Sequence, residues 1–243
     1  MTKNIPTYNF KSIPIEKIDL DDRLTSFLLD NPSDSLMQSI KEIGVVHPVT
    51  LLPIGDCFRI VCGHRRLKIS SLLNASEIPA RILGSTMSDE SMLMVNLSEN
   101  HMHRHYSDIE KGLILSKFLK IEVCENHIIE KYMPMLNLEQ SKKLLDDYSN
   151  VCKLIPGLQI LLHEMNIPTR IFAVFFLWDA ESNKAAESFF SILRPGVNKW
   201  RELLEWIDEI ATRDGVAPAD LFGLPELQPF LNQNNLPSNE RYD

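Results

Sequence analysis

Two adjacent arginines follow a glycine and a histidine where an apolar run ends, in the sequence Gly63-His64-Arg65-Arg66. A glycine at a strand end lets the backbone turn sharply and lets a ligand come close. The helix that follows offers N–H groups and the positive end of its dipole, which suit an anion. Arg65 and Arg66 would add bidentate hydrogen bonds to phosphate oxygens. The segment predicts a phosphate-binding turn; the alternative is two solvated arginines in a first helical turn.

Two further stretches have residue types that suit the same chemistry. Glu99 and Asn100 lie near the end of a predicted helix, with Arg104 beyond them. Carboxylate and amide oxygens are suitable ligands for Mg²⁺, which usually accompanies the phosphates of a nucleotide. The sequence "GVVHP", residues 44–48, is a glycine-led turn that enters a strand. Together the three stretches indicate a nucleotide or another phosphate-bearing ligand.

Strand and helix signals alternate through the first hundred residues and place these motifs. Period-two apolar runs predict strands at 13–18, 47–53, 57–63 and 78–84, and helical periodicity predicts helices at 33–43, from His64 and from Asp89. Beyond residue 105 the pattern is helical, and Ser107 and Glu110 form a predicted capping box. The expected fold is α+β, a small mixed sheet with helices in residues 1–105, followed by an all-α part in residues 106–225. Residues 226–243 are polar and predicted to be disordered.

The three stretches, in this order and spacing, resemble the N-terminal domain of the ParB family of chromosome and plasmid partition proteins. The resemblance covers about residues 10–120 and begins with the strand-like "IPIEKI". The family has a G-x-x-Q-P turn, a G-E-R-R-x-x-A box, and an E-N-x-x-R segment before a capping turn. They are matched here by Gly44, His47 and Pro48; by Gly63, His64, Arg65, Arg66 and Ile69; and by Glu99, Asn100 and the Ser107–Glu110 turn.

The resemblance implies a ParB/sulfiredoxin-like fold that binds CTP or another nucleotide. Its phosphates would lie on the turn at Gly63, with Mg²⁺ at Glu99 and Asn100. Arg104 or His103 would complete the phosphate contacts, and His47 would face the same cleft. Some members of the family hydrolyse CTP slowly while they are clamped on DNA, so a slow nucleoside triphosphatase activity is a further expectation.

The sequence departs from the family pattern at three positions. His47 replaces the glutamine, His64 replaces the acidic residue, and Arg104 comes one place late because His103 holds the expected position. These changes keep open an inactive binding module. Sulfiredoxin, a relative on the same fold, needs a cysteine at the position of Gly63, so a sulfinic-acid reductase is disfavoured although Cys62 lies one residue earlier.

The helical part resembles the family's second domain in outline, with a degenerate helix-turn-helix predicted at 124–153. Its candidate DNA-contact residues are Gln140, Ser141, Lys142 and Lys143, at the start of the expected recognition helix. The alternative is a packed, solvated helix without a role in DNA reading. The net charge is −8 and most of the acidic excess lies after residue 105, which argues against broad nucleic-acid affinity there.

The leading functional hypothesis is a DNA-associated nucleotide switch of the partition or transcription-regulator type. The runner-up is a small-molecule phosphotransferase or nucleotide hydrolase on the same fold, without DNA binding. The amphipathic segment 197–212 would allow a homodimer. His101, His103 and His105 alternate, and metal binding by them competes with a solvated or DNA-facing cluster. The four cysteines form no CxxC pair, and no apolar stretch reaches membrane length, which predicts a cytoplasmic protein.

Overall fold

The computed structural model of the chain describes residues 8–27, 29, 33–84, 86–101 and 105–225. They form two compact units. The first holds His105 and the described residues before it, together with Lys117–Asn137, and the second holds Tyr106–Ser116 and the described residues from Leu138 onward. The predicted tail, 226–243, lies outside the described residues. Among the residues described, no helix has both the length and the apolar character needed to cross a bilayer.

The first unit contains a four-stranded mixed sheet. Its strands are β1 (Tyr8–Pro14), β2 (Val49–Ile54), β3 (Cys57–Cys62) and β4 (Glu77–Leu83), in the spatial order β1-β4-β2-β3. The β2–β3 pair is the predicted hairpin, and it turns at Gly55 and Asp56. β1 is antiparallel to β4, whereas β2 runs parallel to β4 and places Thr50 opposite Arg81. The parallel pair requires a return connection between β2 and β4, and β3 followed by the segment from Gly63 to Ser76 supplies it.

Both faces of this sheet are buried, because alternate residues of each strand point to opposite sides. Leu51 and Ile60 pack with Leu67 of α2 (His64–Leu72) on one face. Leu52 and Val61 pack on the other face with Met92, which belongs to α3 (Asp89–His101). α2, which follows the predicted phosphate-binding turn, is therefore fixed to one face of the sheet. α3, which carries Glu99, is fixed to the other face.

Three more helical segments belong wholly or partly to the first unit. α1 (Asp34–Ile43) begins at Ser33, whose hydroxyl accepts a hydrogen bond from the Leu36 amide, and ends at Gly44. α4 (Asp108–Lys120) contributes its last residues to this unit. The third segment runs through α5 (Glu125–His127), a π-helical stretch (Ile128–Tyr132) and α6 (Met133–Met135).

The second unit is helical. Ser107 and Glu110 form the predicted capping box of α4, with mutual bonds of 3.3 and 3.1 Å between each side chain and the other residue's amide. The ring of Trp200 stacks on Phe190, and both side chains are fully buried in the core of this unit. The remaining α-helices of the second unit are α7 (Lys142–Ser149), α8 (Pro156–Glu164), α9 (Thr169–Phe172), α10 (Ala180–Leu193), α11 (Val197–Asp214) and α12 (Pro218–Phe222).

The mixed sheet followed by helices confirms the predicted fold class, but one local prediction was wrong. A strand was expected at 13–18, but the strand of this region, β1, ends at Pro14. Ile15–Lys17 form a 3-10 turn instead. Pro14 ends the strand because proline has no N–H to donate to the ladder. Ile13 and Ile15 gave the segment its strand-like alternation, although Ile15 reaches the core from the 3-10 turn.

Candidate phosphate-binding site

Gly63 is the N-cap of α2 and has a left-handed backbone, with φ 103° and ψ 22°. Its carbonyl accepts the first hydrogen bond of the helix, from the Leu67 amide at 3.0 Å. A Cβ added at this position would lie 2.8 Å from Cγ1 of Val49, which is fully buried. The strand-to-helix turn therefore needs glycine twice, for its φ angle and for the close approach of β2.

Arg66 joins this turn to the "GVVHP" turn. Its Nη1 donates to the carbonyl oxygens of His47 and Pro48, the second at 2.8 Å. Burial lowers the pKa of the Arg66 guanidinium from its ordinary value, and the nearby charge of Arg81 lowers it further. The predicted phosphate contact of Arg66 must therefore share the guanidinium with these two carbonyls, while the exposed His47 ring lies at the same turn.

His64 and Arg65 line a cavity of about 320 Å³ between α2 and the loop that contains Arg23. Arg23 and Lys68 line it as well, so three cationic side chains, those of Arg23, Arg65 and Lys68, surround the cavity. Successive helical residues point about 100° apart, which explains why Arg65 and Arg66 do not contact the same partners. The side chains of the motif therefore lie in two places. His64 and Arg65 line this cavity, and Arg66 contacts the His47 turn.

The His64 ring is held neutral in this position. Burial lowers its pKa to about 4, the charges of Lys117 and Arg23 add to that shift, and Asp22 opposes it. The Thr25 hydroxyl donates to the Ile60 carbonyl at 2.8 Å and lies 3.4 Å from His64 Nε2. Because a hydroxyl has a single proton to donate, Nε2 is the donor to Thr25. His64 therefore contacts the loop as a neutral donor.

Lys117 fastens the same loop from the end of α4. Its Nζ donates to the backbone carbonyls of Arg23, Leu24 and Ser26, the last two at 2.9 and 2.6 Å. Burial lowers the pKa of this ammonium to about 8. These bonds fix the loop that forms one wall of the cavity around Arg65.

Glu99 faces the sheet from α3 and contacts two side chains. It forms an ion pair with Arg81 of β4, and the Thr50 hydroxyl donates to its Oε1 at 3.3 Å. Arg81 Nη2 also donates to Thr50 Oγ1 at 2.7 Å. Thr50 is buried, while the Arg81 and Glu99 side chains are 27% and 30% exposed. Thr50, Arg81 and Glu99 form a closed cluster, named below the Arg81–Glu99 cluster.

Asn100 turns back onto its own helix. Its Nδ2 donates to the backbone carbonyl and to Oδ1 of Asn96, at 2.8 and 2.9 Å. The buried Asn96 in turn donates to the carbonyl of Val61 at 2.5 Å. Asn100 therefore helps to orient an amide that holds the end of β3, immediately before the Gly63 turn.

The predicted pair of Mg²⁺ ligands does not fit a metal in this arrangement. The Glu99 carboxylate already accepts from Arg81 and Thr50, and the bonds from Asn100 Nδ2 to Asn96 hold the Asn100 side chain against its own helix. Within the described part of the chain, no three His, Cys, Asp or Glu side chains lie together as a metal site would require. Two guanidinium groups, those of Arg66 and Arg81, would also repel a divalent cation.

Cys62, the last residue of β3, has no nucleophilic role in this site. It is 2% exposed, and burial raises the pKa of its thiol to about 12. Thiol chemistry requires the thiolate. The side chain is a buried, protonated member of the sheet core, packed with Val61 and Leu83.

The remaining predicted site residues are spread over the chain. Gly44 ends α1 with φ 78°, and its amide donates to Ile40. Arg104 and His103 lie outside the described residues, so their phosphate role stays a prediction. The alternative of a metal site at His101, His103 and His105 falls mostly on side chains outside the described part as well.

The predicted DNA-contact residues lie at the N-terminal end of α7. Ser141 is its N-cap and accepts from the Leu144 amide at 3.4 Å, while Gln140 and Lys143 are exposed. Lys142 pairs with Asp146 at 2.8 Å. The helical turns at 125–135 belong to the first unit and α7 to the second, so the helix-turn-helix stays a prediction.

Sequence reasoning missed Arg81, Thr50 and Lys117. Arg81 did leave a signal, because a charged residue interrupts the otherwise apolar strand "IPARIL" next to the inward-facing Ala80. Thr50 is a small polar residue in a strand that is otherwise apolar. Lys117 left none, since a lysine near the end of a helix is ordinary. What identifies it is its contact with a loop more than ninety residues earlier.

Comparison with known proteins gives the same family as the motifs. Residues 1–101 match the model of the ParB N-terminal domain. A probable chromosome-partitioning protein ParB of Coxiella burnetii is 26% identical over 132 residues, which are 54% of this chain and 43% of that protein. A probable chromosome 1-partitioning protein ParB of Deinococcus radiodurans is 36% identical over 77 residues, 32% of this chain and 26% of that protein. The chain spans less than half the length of these relatives.

Solved ParB structures also match the chain. The Pnob8-like ParB-N domain is 16% identical and covers 96% of both chains with a TM-score of 0.42. C-terminally truncated ParB from Caulobacter crescentus, complexed with CTP-γ-S, is 17% identical and covers 71% of this chain and 94% of that one with a TM-score of 0.35.

The family match covers the turn at Gly44, the Gly63 turn, Arg81, Glu99 and Asn100, whereas Lys117 of α4 lies beyond it. It stops close to the end of α3, and the helical second unit lies outside it. Over residues 1–101, this chain is therefore similar to the ParB N-terminal domain family.

Proposed function

We propose that this chain is a partition-type, DNA-associated protein whose first domain, residues 1–105, binds a nucleotide, with CTP as the leading candidate. A helical domain at 106–225 would contact DNA. The protein would act in the cytoplasm as a homodimer. The observation that supports this proposal most is the glycine turn at Gly63, which opens α2 with a basic first turn and is tied through Arg66 to the His47 turn.

This turn has the features that phosphate binding needs. The N-terminus of α2 carries the positive end of the helix dipole, and the glycine lets an anion approach the backbone. Arg65 on one side and Arg66 on the other add positive charge, and Arg81 adds more beyond Arg66. A wider depression of about 810 Å³ at the start of α3 is lined by Asp89, Glu90 and Glu122, and its acidic lining disfavours phosphate. Charge therefore favours the Gly63 turn as the ligand site.

Calorimetric titration with CTP, ATP and GTP tests the nucleotide site. We expect one of them, CTP first, to bind wild type, and Arg65→Ala and Arg66→Ala each to weaken it at least tenfold. The reason is that each substitution removes a charge-assisted phosphate contact. Lys11→Ala, which removes an exposed charge from β1, is the matched control and should leave the affinity unchanged.

Circular dichroism must show that the Arg66 variant is folded, because Arg66 also holds the His47 turn. Arg66→Lys keeps the charge without the planar fork and should give an intermediate affinity. A folded wild-type protein that produces no heat with any of the three nucleotides would refute the nucleotide site.

The DNA role predicts a contribution from Lys143 at the start of α7. Binding of a fluorescein-labelled duplex should weaken with salt, and Lys143→Ala should reduce the slope of log K against log salt by about one. Lys184→Ala, an exposed lysine of α10 in the same unit, is the control. Equal slopes for both variants would remove α7 from the interface.

A phosphotransferase or nucleotide hydrolase without DNA binding is the second candidate. The negative net charge of −8 favours it, since a domain that grips a phosphate backbone is usually basic. Nucleotide binding together with no anisotropy change on DNA at any salt concentration would select this candidate. Release of phosphate from the bound nucleotide, followed over hours, would then show whether the site is hydrolytic.

A further inference from the structure

The Arg81–Glu99 cluster lies where the family pattern leads one to expect a metal. Arg81 and Thr50 are directly opposite each other in the parallel pairing of β4 with β2, and Glu99 reaches them from α3. β2, β4 and α3 therefore meet at the Glu99 carboxylate. The positive charge that balances this carboxylate is that of Arg81, a residue of the protein itself.

We propose that Arg81 is a built-in cation that takes the place of Mg²⁺ at Glu99, so that the domain binds its phosphate ligand without a divalent metal. This inference rests on the proposed nucleotide-binding function. The guanidinium neutralises Glu99 through the ion pair, and Thr50 Oγ1 bonds to both partners and fixes their geometry.

Electrostatics favours the guanidinium over a metal in this position. A metal would have to displace Arg81 from Glu99 and would then lie near two guanidinium groups, because Arg66 and Arg81 are close enough for one to lower the pKa of the other. Coulomb repulsion acts strongly between partly buried charges. A phosphate, in contrast, is attracted by both arginines, and Glu99 is the one group of the cluster that repels it.

Glu99 would therefore favour nucleotide binding if it held Mg²⁺ and oppose it if it is paired with Arg81. If Glu99 held Mg²⁺, Glu99→Gln would weaken nucleotide binding. If Arg81 holds Glu99, the same substitution removes a negative charge and leaves the Arg81 charge to the phosphates. The substitution is nearly isosteric, so the side chain still fills its position between Thr50 and Arg81.

Calorimetry with the tightest-binding nucleotide tests this. We expect EDTA in place of Mg²⁺ to change the wild-type affinity less than threefold, and Glu99→Gln to tighten binding by about threefold or more. Glu42→Gln, which removes an exposed negative charge from α1, controls for net charge. A loss of threefold or more in EDTA, or a Glu99→Gln variant that binds equally or more weakly, would overturn the inference.

A direct metal titration keeps the inference testable if no nucleotide binds, in which case the proposed function alone would have failed. Mn²⁺ binding is followed by electron paramagnetic resonance in wild type and in Arg81→Gln, with thermal melts to show that both are folded. We expect Arg81→Gln to bind Mn²⁺ more tightly than wild type does, since the substitution removes the guanidinium that competes for Glu99. Equal Mn²⁺ binding by the two proteins would overturn the inference.

Discussion

Replacing Gly63 with alanine is expected to lower the free energy of unfolding of the first unit by about 3 kcal/mol. Two effects add. A non-glycine residue held at φ 103° costs on the order of 1–2 kcal/mol in backbone strain. Its Cβ would also lie 2.8 Å from the buried Val49 Cγ1, and overpacking of a core adds about 1–2 kcal/mol.

Amide hydrogen exchange in β2 and β3 measures this loss where it occurs. All three tryptophans, Trp178, Trp200 and Trp206, lie in the second unit, so tryptophan fluorescence would report on the wrong part of the chain. Gly55→Ala is the matched control, because Gly55 also has a positive φ of 58° but a Cβ there meets no atom within 4 Å. It should cost about 1 kcal/mol from strain alone. Equal losses in the two variants would show that the contact with Val49 is unimportant.

Acidification is expected to destabilise the first unit through His64. The pKa of this histidine is about 4 in the folded chain and close to 6.5 when the chain is unfolded. As the pH falls from 6.5 toward 4, the unfolded state binds a proton that the folded state does not. Stability is therefore full above pH 6.5, declines through this window and has lost about 3 kcal/mol below pH 4.

The difference in stability between wild type and His64→Gln isolates this contribution from other titrating groups. Glutamine is always neutral and keeps a donor for Thr25, so the variant should lack the His64 part of the decline. Urea unfolding, followed by exchange of β3 amides at pH 7 and pH 4, gives the two differences. A difference that does not change with pH would mean that the His64 ring takes up its proton without unfolding.

The local backbone conformations at the Gly63 turn, the capping box and the hairpin were predictable from the sequence. A glycine between a strand and a basic helical start indicates a left-handed turn, and Gly63 has that conformation. The capping box at Ser107 depends on residues three apart, as the pattern does. The hairpin turn at Gly55 is similarly local. Each of these features depends on residues a few positions apart, so it can be predicted from the sequence alone.

The partners of the charged side chains could not be predicted in the same way. Glu99 meets Arg81 only because β4 lies beside β2 and α3 crosses that face, and no spacing in the sequence encodes this. The different surroundings of Arg65 and Arg66 follow from the rotation of about 100° between successive helical residues. Their side chains line different surroundings, the cavity for Arg65 and the His47 turn for Arg66.

The buried thiol of Cys62 gives the protein a kinetic reporter of its own. Cys57, Cys124 and Cys152 are exposed, whereas Cys62 is 2% exposed and lies one residue before the Gly63 turn. In a variant with serine at the three exposed positions, a disulfide reagent would react only when the end of β3 opens. The labelling rate would then measure the breathing of the turn. A ligand seated on the turn would slow the reaction by its own occupancy, so binding could be followed without attaching a dye.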